Sequence, residues 1–352
     1  MTNVLPYLKF AGPVLDEATI GGVADVLRSG QLTSGPWVRQ FEASLSAFCE
    51  GRPVRALTSA TAAIEVALQL CGVGHGDEVI TAAQSFFTVL NMIVKVGARP
   101  VFVDCDLITR NIDLAAVERA ITPRTKLLIL NSPSNPSGRV LPPDEFRRIM
   151  ELTTERGIYV VSDECYLRFV YPPGEVFSAA SLPAELRSRL CIAGSFSKTY
   201  AMTGWRVGYA LAPAEWTKAM LKVQGHSTSN TNSIAQWAAV EALTGPQESV
   251  GIMLKEYTAR RQWLLNALSE IPGFKCNEPE GAFYAFPDVR GCLRKDLKTS
   301  GDFAQRLLEE EHTVVTDGAG FGAEGFLRIS YATSMEQIQE GVKRIKRFAE
   351  KH

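Results

Sequence analysis

The 352-residue sequence has no apolar run long enough to cross a bilayer, so no membrane-spanning helix is expected. It has no CxxC pair, which removes the usual spacing of a structural zinc site, and no metal is expected. It has no excess of basic residues. A formal net charge of −1 argues against a nucleic-acid binder, which needs a positive surface to meet phosphates. Its seven cysteines are odd in number and lack paired spacing. That is no disulfide framework, and reduced thiols in a cytoplasm are expected. The opening stretch MTNVLPYLKFAGPVLDE lacks the apolar core of a signal peptide. There are no internal repeats and no low-complexity segments.

What is present suits a globular protein of more than one domain. Hydrophobic residues make up 46% and charged residues 21%. The length exceeds what one small core needs and fits one large and one smaller domain. Short apolar runs alternate with helical patterns through the middle of the chain. The runs are Val79–Thr81, Val101–Val103, Leu127–Leu130, Tyr159–Val161, Cys191–Ala193 and Gly208–Ala210. Helical stretches such as Ala62–Leu70, Asp113–Ile121 and Asp144–Leu152 lie between them. The alternation implies an α/β fold with a mostly parallel sheet buried under helices.

The ends read differently. Val38, Phe41, Leu45 and Phe48 share one helix face. Gly281–Phe286 and Phe326–Tyr331 read as strands. A last helix carries Ile338, Val342, Ile345 and Phe348 on one stripe. Residues 1–45 and 246–352 are therefore expected to form a smaller α+β domain, and residues 46–245 the large one. Thr244-Gly245-Pro246 is the candidate break.

The strongest chemical signal is the string from Ser195 to Tyr209, SFSKTYAMTGWRVGY. It follows a short apolar strand, so Lys198 would sit at the C-terminal edge of the sheet, where open α/β sheets bind ligands. An amine there can form a Schiff base with an aldehyde. Ser195 and Arg206 could donate to a phosphate, the arginine through its fork. A lone lysine would read as solvated. Asn131-Ser132-Pro133-Ser134-Asn135-Pro136-Ser137-Gly138 alone would be a turn. Asp163-Glu164-Cys165-Tyr166 ends a buried strand, where an acid needs a partner; a helix cap or ion pair would also explain it. Ser59-Ala60-Thr61 precedes a helix, as an ordinary cap or an anion site. Phe86 follows a strand, and packing in the core competes with any other role. Arg328 is a charge inside the apolar strand Phe326–Tyr331 and calls for an anion.

Together these segments resemble the class I aminotransferases of pyridoxal-phosphate (PLP) fold type I, the aspartate aminotransferase-like fold. The resemblance implies that Lys198 is the Schiff-base lysine and proton shuttle of a two-half-reaction mechanism. It makes Asp163 the partner of the cofactor's ring nitrogen. Tyr166 and Asn135 become hydrogen-bond donors to its phenolic oxygen. Ser195, Arg206, Ala60 and Thr61 become phosphate contacts, and Phe86 a ring-stacking aromatic. Arg328 would grip the substrate α-carboxylate, with Asn135 beside it. The substrates implied are an α-amino acid and a 2-oxo acid.

The N-terminal third is also similar to sugar-nucleotide aminotransferases, through Ser29–Pro36, Gly76–Thr81 and Ala120–Lys126. The resemblance further implies a homodimer with shared active sites, with His226–Asn232 near the border. Three other readings stand beside transamination. They are a PLP-dependent β- or γ-lyase, a sugar-nucleotide aminotransferase, and a PLP sensor. A sensor is expected to carry a DNA-binding domain, for which the chain starts too close to the catalytic fold.

Overall fold

The computed structural model describes residues 16–294 and 296–352. The first 15 residues, part of the expected small domain, lie outside the described residues. Seven strands form the main sheet: β1 (Val54–Leu57), β2 (Glu78–Ala82), β3 (Arg99–Val103), β4 (Thr125–Asn131), β5 (Tyr159–Asp163), β6 (Leu190–Ser195) and β7 (Gly208–Leu211). Their order is β1-β7-β6-β5-β4-β2-β3. The block β3-β2-β4-β5-β6 is parallel throughout. β7 runs antiparallel to both its neighbours. The fold is the expected α/β, mostly parallel arrangement.

All six expected strands are present, each extended by one or two residues at one or both ends. β1 was not foreseen. It has only four residues and carries Arg55, whose charge hides the apolar pattern. Arg55 is neutralised by Glu42 at 2.8 Å on the preceding helix. β7 turns back because the chain between β6 and β7 forms only short helical turns. A parallel return would need a full crossover.

Apolar residues cover both faces of this sheet. One cluster includes Ile80, Leu128, Val160 and Ile192 and the helix Pro143–Glu155. The other includes Val79, Leu127, Val161 and Cys191 and the helix Ala60–Leu70. Successive residues of one strand thus enter opposite cores, as the period of two requires.

A second sheet has the order β8-β10-β9, from β8 (Tyr284–Ala285), β9 (Thr316–Asp317) and β10 (Leu327–Ser330). Its cluster holds Phe283, Phe303, Leu327 and, from the helix Met335–Lys351, the expected stripe of Ile338, Val342, Ile345 and Phe348. Truncating a buried ring such as Phe348 to alanine should cost about 3–5 kcal/mol.

The helices Glu17–Arg28 and Pro36–Phe48 pack on the helix Ser233–Thr244, and Phe41 and Leu45 join the first cluster of the main sheet. From sequence alone these residues group with the smaller domain. A helical stripe reveals that a face is buried but not which sheet it covers. No helix among the described residues is long and apolar enough to cross a membrane.

Candidate active site

β4, β5 and β6 end along one edge of the sheet, at Asn131, Asp163 and Ser195. Asn131 and Asp163 are direct neighbours across β4 and β5. β1 ends and β7 begins at the same edge, where Ser195 pairs with Gly208 and Gly208 with Leu57. The loops that leave this edge carry nearly every residue singled out from the sequence.

Ser59 caps the helix Ala60–Leu70 by accepting from the Ala62 N–H at 3.1 Å. Gly208 presses against that helix start. A β-carbon on Gly208 would lie 2.4 Å from the carbonyl carbon of Ser59 and 2.7 Å from the Ala60 nitrogen. Only glycine permits this approach. Arg206 adopts a left-handed backbone, φ 59°, as the chain swings into β7. That conformation costs a non-glycine residue about 1–2 kcal/mol. Its exposed guanidinium donates to the Thr203 carbonyl at 3.1 Å. Ser195 caps the short helix Phe196–Thr199, accepting from the Ser197 N–H at 3.0 Å and donating to the Val207 carbonyl at 3.3 Å. The edge therefore joins a helix N-terminus, a fork and a hydroxyl, a donor set that fits a phosphate.

Asp163 is half-buried, and its carboxylate accepts, among the described residues, from Cys165: the backbone N–H at 3.1 Å and the thiol. Burial pushes its carboxyl above the usual range, against those hydrogen bonds and the positive field of Lys198. A carboxyl held this way has capacity left for a cationic donor. A protonated pyridine nitrogen fits that demand, so the residues suit PLP at both its ends.

Lys198 stands on the short helix after β6. Burial lowers its pKa; the positive fields of Arg328 and Arg206 add to this, while Cys165 and Asp163 oppose it. Its Nζ lies 5.7 Å from the Tyr166 ring centre and 5.6 Å from that of Phe283. A depressed amine is more often neutral and so more nucleophilic.

Tyr166 is buried and shares a hydrogen bond with Tyr284, hydroxyl to hydroxyl, at 2.8 Å. Asn135 is buried; its N–H donates to the Asn131 side-chain oxygen at 2.9 Å. Its own Oδ1 accepts from Arg328 Nη1 at 2.9 Å, which leaves the amide NH2 as a donor. Arg328 also donates to Thr316 at 3.2 Å and lies 4.7 Å over the Tyr284 ring and 5.0 Å over that of Phe321. These contacts are neutral. Arg328 has no carboxylate partner among the described residues.

Phe86 packs 4.5 Å from Phe87 and against the cluster of Phe286, Phe321, Ala323 and Phe326. It lies at the same sheet edge, after β2. Lys198, Asp163, Tyr166, Asn135 and Arg328 converge; Ala60, Thr61, Ser195 and Arg206 form a second group beside the start of β7.

Sequence reasoning missed Tyr284 and Phe283. Both lie in the stretch Gly281–Phe286, which reads from sequence as a strand. Alternation along it cannot tell a packing ring from one that faces a lysine.

Comparison with known proteins points to one family. The family model for aminotransferase class I and II matches residues 39–345. An aspartate aminotransferase of Geobacillus stearothermophilus is 40% identical over 278 residues, 78% of this chain and 71% of that protein. A probable aspartate/prephenate aminotransferase of Aquifex aeolicus is 39% identical over 282 residues, 78% of this chain and 71% of its own. Among solved structures, an aspartate aminotransferase from Rhizobium meliloti superposes with a TM-score of 0.88 at 32% identity, covering 99% of this chain and 90% of the other. An aromatic aminotransferase from Pyrococcus horikoshii gives 0.87 at 29% identity, with coverages of 97% and 93%. The chain thus belongs to the class I and II aminotransferases, PLP-dependent enzymes of fold type I that move an amino group between an amino acid and an oxo acid.

Proposed function

We propose that this enzyme takes its amino group from an α-amino acid held by Arg328, with aspartate the leading donor and a 2-oxo acid the acceptor. The observation that carries the reading is Arg328 itself. Its guanidinium is half-buried, stacked on two rings and, among the described residues, hydrogen-bonded only to neutral groups. A carboxylate would satisfy its fork with two parallel bonds. Aspartate is named first because several relatives bear that substrate in their names.

Bound PLP supplies an electron-withdrawing ring that acidifies the donor's α C–H. Asp163 keeps its ring nitrogen protonated. Asn135 and Tyr166 hold the phenolic oxygen. Ala60, Thr61, Ser195 and Arg206 hold the phosphate, and Phe86 covers one ring face. Lys198 holds the cofactor when no donor is present. Its amine would also be the base that moves the proton of the donor's α-carbon. Burial suits it to this, because a neutral amine can accept a proton near neutral pH.

The reading extends to a cytoplasmic homodimer in which residues 46–245 form the large domain and residues 246–352 belong to the smaller one. Free thiols at all seven cysteines fit a reducing compartment. Phe87, Phe102, Leu107 and Ile108 are 48–79% exposed around β3 and the edge that bears the site. Such a patch suits a second copy of the chain. Light scattering should give a dimer.

The deciding experiment mixes the holoenzyme with single donors and follows the cofactor's absorbance. The panel holds aspartate, glutamate, aromatic amino acids and an amino sugar nucleotide. Aspartate should give the fastest change without ammonia release. Ammonia and an oxo acid from one amino acid alone would indicate a lyase. Response to the sugar nucleotide alone would make the N-terminal likeness the better guide.

A further inference from the structure

A cavity of about 340 Å³ lies away from the site, at the sheet edge where β6 begins. It falls within the size of small-molecule sites, roughly 300–1,000 Å³. Pro53, Leu190, Ile192, Leu211 and Pro213 make its walls largely apolar. Two arginines, Arg52 and Arg187, also line it. The Arg187 side chain makes no hydrogen bond or ion pair with any described residue. With no acid beside it, the Arg187 guanidinium favours a ligand that brings one to the cavity. Arg52 donates from Nη1 to the Ala180 carbonyl and reaches the exposed Glu50 only at 3.4 Å. The acid among the lining residues, Glu215, is exposed.

A path of hydrogen bonds leads from this cavity to the catalytic edge. Arg52 holds the Ala180 carbonyl. The Ala180 N–H donates to Ser178 Oγ at 3.2 Å. Ser178 Oγ donates to Glu164 at 2.6 Å, and the Ala179 N–H donates to it at 2.8 Å. Glu164 is the residue after Asp163. A ligand that draws the Arg52 guanidinium therefore acts on the segment 178–180 and, through Glu164, on the strand end that carries Asp163.

We propose that this cavity is a regulatory site for a small monocarboxylate with an apolar body. Arg187 and Arg52 take the carboxylate; Leu190, Ile192 and Leu211 take the body. The forked donors select a carboxylate over a neutral ligand, and the apolar walls select against a bare inorganic anion.

The test uses 3-phenylpropionate, which has no amino group to transfer, and titration calorimetry on the holoenzyme. It can also enter the catalytic site through Arg328, so the wild type should bind a second equivalent per chain. Arg187→Gln should lose that second equivalent and keep the first. Arg328→Ala should do the reverse. Ala212→Leu, which fills the cavity and leaves both arginines in place, should match Arg187→Gln and guards against a misfolded variant. At saturating substrates, where competition at the catalytic site is removed, the probe should change kcat of the wild type but not of Arg187→Gln. A single equivalent that survives Arg187→Gln and Ala212→Leu overturns the proposal. So does a second equivalent that leaves kcat of the wild type unchanged.

Discussion

Arg328 on β10 donates from Nη1 to the side-chain oxygen of Asn135 at 2.9 Å, across 193 positions of the chain. Asn135 is itself tied to Asn131 at the end of β4. One amide therefore joins the small sheet to the large one at the place where the substrate is proposed to sit. It sets the tilt of the guanidinium and offers it no charge. The positive charge stays available for a ligand.

Arg328→Ala should lower kcat/KM for amino acid donors roughly a hundredfold or more, equivalent to about 2–4 kcal/mol. Arg328→Lys should recover part of this, since a lysine restores the charge but not the fork. Steady-state kinetics on the donor panel measures both. An Arg328→Ala enzyme with unchanged kcat/KM would remove the carboxylate contact from the mechanism.

Reducing the holoenzyme with borohydride should fix the cofactor to Lys198, as peptide mass mapping would show. Lys198→Ala should lose turnover while still binding PLP without a covalent bond. Modification at another lysine would displace Lys198 from its role.

Asp163→Asn should reduce kcat far more than it weakens cofactor binding, on the order of 100-fold or more. An amide cannot hold a proton on the ring nitrogen as a carboxylate does. Fluorescence titration with PLP and kcat measured side by side separate the two effects. Near-normal turnover would make Asp163 a structural residue.

Glu164 gives a prediction about pH. Burial, first, pushes its carboxyl to about 7, against hydrogen bonds from Ser178, Ala179 and Ser162, with the nearby Asp163 adding to the rise. Unfolded, it returns to its ordinary value of 4.5. Between these values the folded protein holds a proton that the unfolded chain has released. The stabilisation is complete below the unfolded value and is lost as pH rises through about 7, a difference on the order of 3 kcal/mol. Glu164→Gln keeps a neutral group there at every pH. Melting temperatures of the wild type should therefore fall relative to Glu164→Gln between about pH 5 and pH 8. Parallel melting curves for the two would contradict this.

Much of the candidate site is legible in the sequence. Lys198, Asp163 and Asn135 each follow a short apolar run bounded by turn residues, and such a pattern depends only on near neighbours. Lys198 and Asp163 could be assigned to the sheet edge for that reason. Tyr284 could not, because its hydroxyl meets Tyr166 only after a second sheet folds against the first. Nothing local to Gly281–Phe286 marks which ring turns inward.

By itself, then, the sequence determined the alternation of strands and helices, the residues at the strand ends, and the stripe of the last helix. These rest on side-chain period and turn chemistry, which act over a few residues. The tertiary structure alone decided that β1 joins the sheet beyond β7, and that Gly208 touches the start of the helix Ala60–Leu70. It also decided that Phe41 and Leu45 cover the large sheet, and that Arg328 reaches Asn135. Each of these joins residues far apart in the chain. Their partners are selected by which surfaces can be buried together, a competition among all the elements at once that no local pattern encodes.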